Sequence, residues 1–197
     1  MDAKTEDLRP AHDTLAELYA DKLPTFSTRC PPNAGCGSGR LAPYLTGRGL
    51  QPQHIDLSQE MIRVARRDYP GFPFDVADVR SLPFGDSSLA GVVCWYSLMY
   101  LAPPDRPLAL GELARVVRPG GYFATAFKEG DDQVRRDGRT VGVEFDIYWH
   151  SPEEMQRLVT SAGFHVVFWT GRPATPDEPQ PRGYLIAQRG CCRAPRW

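Results

Sequence analysis

Apolar positions along this chain recur with two different periods, and the switching between them predicts the order of its elements. From Asp7 to Ala20, Leu8, Ala11, Leu15, Leu18 and Tyr19 recur at helical spacing. The stretch Pro24 to Asn33 has no period and holds three prolines; the glycine run Gly35-Cys36-Gly37-Ser38-Gly39 follows it. Arg40 to Leu45 can begin a helix, and Gln53 to Asp56 reads as a short strand. Ser58 can cap a second helix with Met61, Val64, Ala65 and Tyr69 on one face, stopped by Pro70-Gly71. Phe72 to Val76 predicts a further strand. Ala90 to Trp95 is a continuous apolar run, as expected of a strand buried on both faces. Pro107 suits the first turn of the next helix, whose buried side is Leu108, Leu110, Leu113, Ala114, Val116 and Val117. Arg118-Pro119-Gly120-Gly121 then turns the chain into a strand over Tyr122 to Phe127.

Lys128 to Val143 is charged and contains glycine, which predicts an exposed excursion. Ser151-Pro152-Glu153-Glu154 is a strong helix start: a capping Ser, a first-turn Pro and Glu at the capping-box position. Met155, Leu158, Val159 and Ala162 form its apolar face, and Gly163 closes it. Phe164 to Trp169 and Tyr184 to Gln188 are the last strands, joined by the Pro- and acid-rich loop Pro173 to Arg182. Strands alternating with helices predict an α/β fold with a mostly parallel sheet covered on both faces. The last two strands follow each other without a helix, so one of them should run antiparallel. The expected organisation is one domain over 1–197: an N-terminal helix and irregular lead-in over 1–34, a core over 35–127, and acceptor-side and C-terminal strands over 128–190.

Composition narrows the function. The 197 residues carry 23 Lys+Arg against 24 Asp+Glu, a formal charge of −1, and no basic face suited to phosphates stands out. The expected partner is a small molecule, with no nucleic acid. No apolar run approaches the roughly 18 residues of a membrane span and Met1 to Pro10 is polar, so no membrane and a cytoplasmic location are expected. Cys30, Cys36, Cys94, Cys191 and Cys192 are dispersed and read as free thiols; no metal site is expected. A monomer or homodimer fits.

Three features fall at three successive strand ends, where α/β sheets bind ligands. The glycine run comes first; without Cβ atoms its backbone can turn tightly and approach a ligand. Asp56 comes next, an acid that can accept both hydroxyls of a ribose. Asp78 is third: its carboxylate can accept an adenine amino hydrogen while the Val79 amide donates to a ring nitrogen. Together they would hold an adenosine. A dinucleotide site wants G-x-G-x-x-G, whereas here the third glycine comes one residue early and Arg40 takes the close-packing place.

With these residues in view, Gly35 to Phe127 resembles the class I S-adenosylmethionine-dependent methyltransferases of the small-molecule kind. The resemblance rests on Gly35-Cys36-Gly37-Ser38-Gly39-Arg40, His54-Ile55-Asp56-Leu57-Ser58-Gln59-Glu60-Met61, Ala77-Asp78-Val79-Arg80-Ser81-Leu82-Pro83-Phe84 and Glu112 to Gly121. It implies a Rossmann-like three-layer α/β/α fold, a seven-stranded sheet with a reversed last strand, and S-adenosyl-L-methionine as cofactor. It would set Gly35, Cys36, Gly37 and Gly39 against the methionine moiety, Asp56 on the ribose, and Asp78 and Val79 near adenine. Leu57 and Met61 would flank the purine. Tyr19 would fold over the cofactor, and Trp95 would border it. The acceptor would enter above the fourth strand end, where Tyr96, Ser97 and Tyr100 lie, with Tyr148 nearby. His150 and Tyr96 are the candidates for a general base.

Two stretches depart from the pattern. Pro31 and Pro32 remove ladder donors where a central strand is due, which predicts a degraded first strand, and Asn33 stands where the family has an acid. The tail after Gly190 is also atypical. The expectation is a methyltransferase acting on a small molecule. The alternatives are an impaired methyltransferase fold that serves as a binding module, and a nicotinamide-dependent oxidoreductase.

Overall fold

The computed structural model describes residues 32–137, 145–176, 178 and 180–190. The expected helix over Asp7 to Ala20, Tyr19 with it, and the tail after Gly190 lie outside them. β1 (Asn33–Ala34) passes through the glycine run into α1 (Ala42–Gly47), and β2 (His54–Asp56) into α2 (Gln59–Asp68). β3 (Phe74–Val76) joins β4 (Leu89–Trp95) without an intervening helix; a 3-10 turn (Leu98–Tyr100) and α3 (Asp105–Val116) then lead into β5 (Val117–Lys128). β6 (Val134–Asp137) and β7 (Phe145–Tyr148) pair antiparallel, and α4 (Pro152–Ser161), β8 (Phe164–Arg172) and β9 (Arg182–Arg189) complete the chain.

The main sheet has the order β3-β2-β1-β4-β5-β9-β8. The first five strands are parallel, and β9 runs antiparallel between β5 and β8. The last strand is reversed, as expected. Strand order changes direction between β1 and β4, which opens a crevice at the carboxyl ends of those strands.

Side-chain alternation sorts the layers. Ala34, Ile55, Val92, Phe123 and Leu185 pack under Leu110 and Leu113 of α3 and Met155 and Leu158 of α4. Asn33 and His54 sit on the opposite face. There His54 packs on the Phe74 ring at 4.9 Å, and Ala42, Ile62 and Ala65 of α1 and α2 close over Phe74. β4 is buried from Leu89 to Cys94, as its unbroken apolar run predicts.

The first strand is short rather than lost. Proline lacks the amide donor but keeps its carbonyl: Pro32 O accepts from Val93 N at 3.0 Å, and Asn33 N donates to Gln53 O at 2.9 Å. Other expectations need correction. The excursion from Lys128 to Val143 contains β6, which pairs with β7 just beyond it. The Arg118–Gly121 turn is a bulge inside β5: the register steps from Leu89 opposite Val117 to Gly91 opposite Tyr122, with Gly120 at φ 78°. Leu108 is 62% exposed. In its place Arg106 turns inward, with its guanidinium 4.7 Å from the Tyr148 ring centroid. On α2 the buried residues are Ile62 and Ala65, and Met61 is exposed.

Candidate active site

The glycine run is held from both sides of the crevice. Gly35 N and Cys36 N donate to Ile55 O at 2.8 and 3.0 Å, which tethers the loop to β2. Ser97, just beyond β4, donates its hydroxyl to Ala34 O at 3.0 Å. Gly35 has φ 75°, and a Cβ there would overlap the Ser97 Cβ, so neither another backbone angle nor a larger residue fits. Ser97, expected on the acceptor side, is thus a brace under the loop.

Asp56 ends β2 and joins loop to helix. Its Oδ2 accepts from Gly37 N at 2.8 Å and its Oδ1 from Ser58 N at 2.9 Å. A carboxylate has about four acceptor positions, so two backbone amides orient Asp56 without exhausting it.

A cleft of about 930 Å³ opens above these residues, within the size range of small-ligand sites. Gly35, Cys36, Gly37, Asp56, Leu57, Met61, Asp78, Val79 and Trp95 line it, together with Tyr96, Ser97 and Tyr100. Leu57 and Met61 present apolar surface at its edge, 64% and 47% exposed. Gly39 does not line the cleft. It lies beneath the loop, where a Cβ would stand 2.7 Å from Phe74 Cζ, so its role is to let β3 pack close.

The Asp78 carboxylate is not free as expected. Arg80 grips it with Nε at 3.0 Å from both oxygens and a terminal nitrogen at 2.7 Å from Oδ2, and also reaches Asp105 at 3.2 Å. The guanidinium holds the Asp78 carboxyl below the usual carboxylate range. Arg80 and Asp105 also line the cleft, a place the sequence pattern does not predict for them. Cys36 also faces the cleft. Burial, and then the nearby Asp56 charge, push its thiol up to about 12, so it stays protonated.

Asn33 is fully buried yet touches the cleft. Its amide nitrogen lies 3.4 Å from His54 Nδ1, and its Oδ1 has no hydrogen-bond partner. An orphaned acceptor beside the glycine loop suits a ligand's ammonium group.

The two expected bases fare differently. Tyr96 stands in the cleft at φ 55°, a strained conformation for a tyrosine. Its hydroxyl donates to the Tyr184 hydroxyl at 3.4 Å, and burial raises the phenol well above its usual range, so it keeps its proton. His150 is absent from the cleft. It is fully buried beside Arg106 and Met155 in a separate small cavity. Burial, then the Arg106 charge, lower its pKa to about 4. Neutral and walled off, His150 is no base for this site. Tyr148, beneath Arg106, is likewise outside the cleft.

Comparison with known proteins matches residues 33–125 to a methyltransferase domain family. A malonyl-[acyl-carrier protein] O-methyltransferase of Pectobacterium atrosepticum is 36% identical over 113 residues, covering 57% of this chain and 44% of that protein. The O-methyltransferase cnsE of Penicillium expansum is 30% identical over 176 residues, covering 80% of this chain and 63% of its own. The chain thus spans less than two thirds of either relative. Among solved structures, a SAM-dependent methyltransferase from Methanosarcina mazei superposes with a TM-score of 0.73 at 22% identity, over 84% of this chain and 94% of that one.

Proposed function

We propose that the chain is a class I S-adenosylmethionine-dependent methyltransferase, like the relatives it matches, and that it transfers a methyl group from S-adenosylmethionine to an oxygen of a small-molecule acceptor. The observation that carries the reading is Asp56. Its carboxylate is held by Gly37 N and Ser58 N at the cleft floor and keeps acceptor capacity for a ribose diol. The rest of the cleft fits the same cofactor. Asn33 Oδ1 would take the ammonium, Leu57 and Met61 would cover the purine faces, and Val79 lies at the next strand end. When bound, the sulfonium supplies an electrophilic methyl and a good leaving group. The protein's work is then to align the acceptor and exclude water. Transfer to oxygen is supported by the names of the two relatives.

Isothermal titration with S-adenosylmethionine, S-adenosylhomocysteine and NAD tests the cofactor. Binding of both sulfur nucleosides and not of NAD is expected; failure of both would overturn the reading. Asn33, neutral where the family has an acid, favours the second reading of an impaired enzyme. A protein that binds S-adenosylhomocysteine yet methylates nothing in a broad panel of hydroxyl and carboxyl compounds would favour it over the first.

A further inference from the structure

A cluster outside the cofactor residues bears on what the acceptor is. Arg172 ends β8 and Arg182 opens β9, and the two are paired across the ladder. Both guanidinium groups converge on one carboxylate. Arg172 donates to Glu178 Oε1 at 2.9 Å and Oε2 at 2.6 Å, and Arg182 donates to Oε1 at 3.0 Å. Side-chain exposures of 25%, 13% and 16% leave the three largely shielded from water, and among the described residues one carboxylate is shared by two guanidinium groups. Arg172 Nε is buried with no hydrogen-bond partner. Among the described residues, Glu129 lies against Gly171, and its own Oε1 is unpartnered.

This cluster borders the cleft. Arg182 sits 5.5 Å above the Tyr96 ring centroid, and Tyr96 lines the cleft. The Tyr96 hydroxyl reaches Tyr184, whose ring lies 5.8 Å from that of Trp95, another lining residue. A salt bridge that only pinned the β8–β9 connection would need one arginine. Two guanidinium groups on a shared carboxylate, beside two aromatic walls and a phenol donor, have the composition of an anion subsite.

We propose that Arg172 and Arg182, with the Tyr96–Tyr184 pair, bind a carboxylate carried by the methyl acceptor. The acceptor is therefore an organic acid whose body lies against Tyr96 and Trp95. This rests on the methyltransferase reading for the word acceptor, although the anion subsite itself does not depend on it.

The test uses benzoate and its neutral isostere benzamide on the full chain saturated with S-adenosylhomocysteine, read by ligand-observed NMR titration. Benzoate is expected to bind and benzamide to bind at least about tenfold more weakly, as the loss of a charge-assisted pair implies. Arg182→Gln should weaken benzoate by about tenfold. Glu178→Gln should strengthen it several-fold, because it removes the competing carboxylate. A merely structural role for the cluster predicts no gain, so this second variant decides the matter even if Arg182→Gln misfolds. Equal binding of benzoate and benzamide, or no gain in Glu178→Gln, would overturn the proposal. The benzoate and benzamide titrations are repeated without S-adenosylhomocysteine, so failure of cofactor binding indicts the methyltransferase reading and leaves the benzoate comparison standing.

Discussion

At the scale of single residues, the site depends on how completely each carboxylate is committed. Asp56 spends one acceptor position per oxygen on a backbone amide. Asp78 is held by three nitrogens of Arg80, its backbone amide included. Asp56 therefore has capacity to give a ligand, while Asp78 must share its oxygens with a cation that travels with it. Asp56→Asn keeps the shape but sets an amide NH2 against either Gly37 N or Ser58 N, two donors facing each other. A hydrogen bond to a charged group contributes about 1.5–3 kcal/mol. S-adenosylmethionine affinity should then fall by roughly tenfold to a hundredfold, measured by isothermal titration. An unchanged dissociation constant would show that Asp56 does not hold the ribose. Asp56 was legible because an acid closing a short apolar strand has a definite place in an α/β sheet. Arg80 was not, because a surface arginine two residues after an acid has no period to mark it.

At the scale of elements, termini were easier to read than faces. Ser151 caps α4 as its sequence predicts, its hydroxyl accepting from Glu154 N at 3.1 Å. Ser58 does the same for α2 through Met61 N at 3.2 Å. Ser151→Ala should cost about 1 kcal/mol, seen as a lower denaturant midpoint with unchanged slope; no shift would mean that the cap is solvated rather than structural. Caps are legible because the chemistry is local to four residues. Faces are not, because two apolar neighbours compete for one buried position. Met61 and Ile62 differ too little in type for spacing to choose between them, and tertiary packing on Phe74 selects Ile62. On α3 a cation wins the inward place because Tyr148 offers it a ring face. That ring comes from β7, whose four residues Phe145-Asp146-Ile147-Tyr148 are too short a run for a period to mark. The place of His150 was missed because its neighbour Arg106 comes from α3, far away in sequence.

At the scale of the whole molecule, the two buried imidazoles make stability depend on pH in a defined window. His54 lies between the Phe72 and Phe74 rings on one face of the sheet, and His150 lies against Phe127 on the other. Both are fully buried, and burial lowers each pKa from 6.5 to about 4. Below pH 6.5 the unfolded chain takes up these protons while the folded chain does not, so the unfolded state is favoured as pH falls. The stability contributed by the neutral rings is whole above about pH 6.5 and is lost progressively down to about 4. Each ring adds a slope of up to about 1.4 kcal/mol per pH unit within that window. Urea unfolding at pH 7 and pH 5 should show a marked loss of stability at the lower value. His54→Gln should reduce the slope by roughly half, since a glutamine does not titrate. A midpoint constant from pH 7 to pH 5, or a slope unaltered in His54→Gln, would mean that these rings gain protons without unfolding. The layer beneath the glycine loop would then be open to water, and Asn33, which leans on His54 Nδ1, would lose its fixed position beside the cofactor cleft.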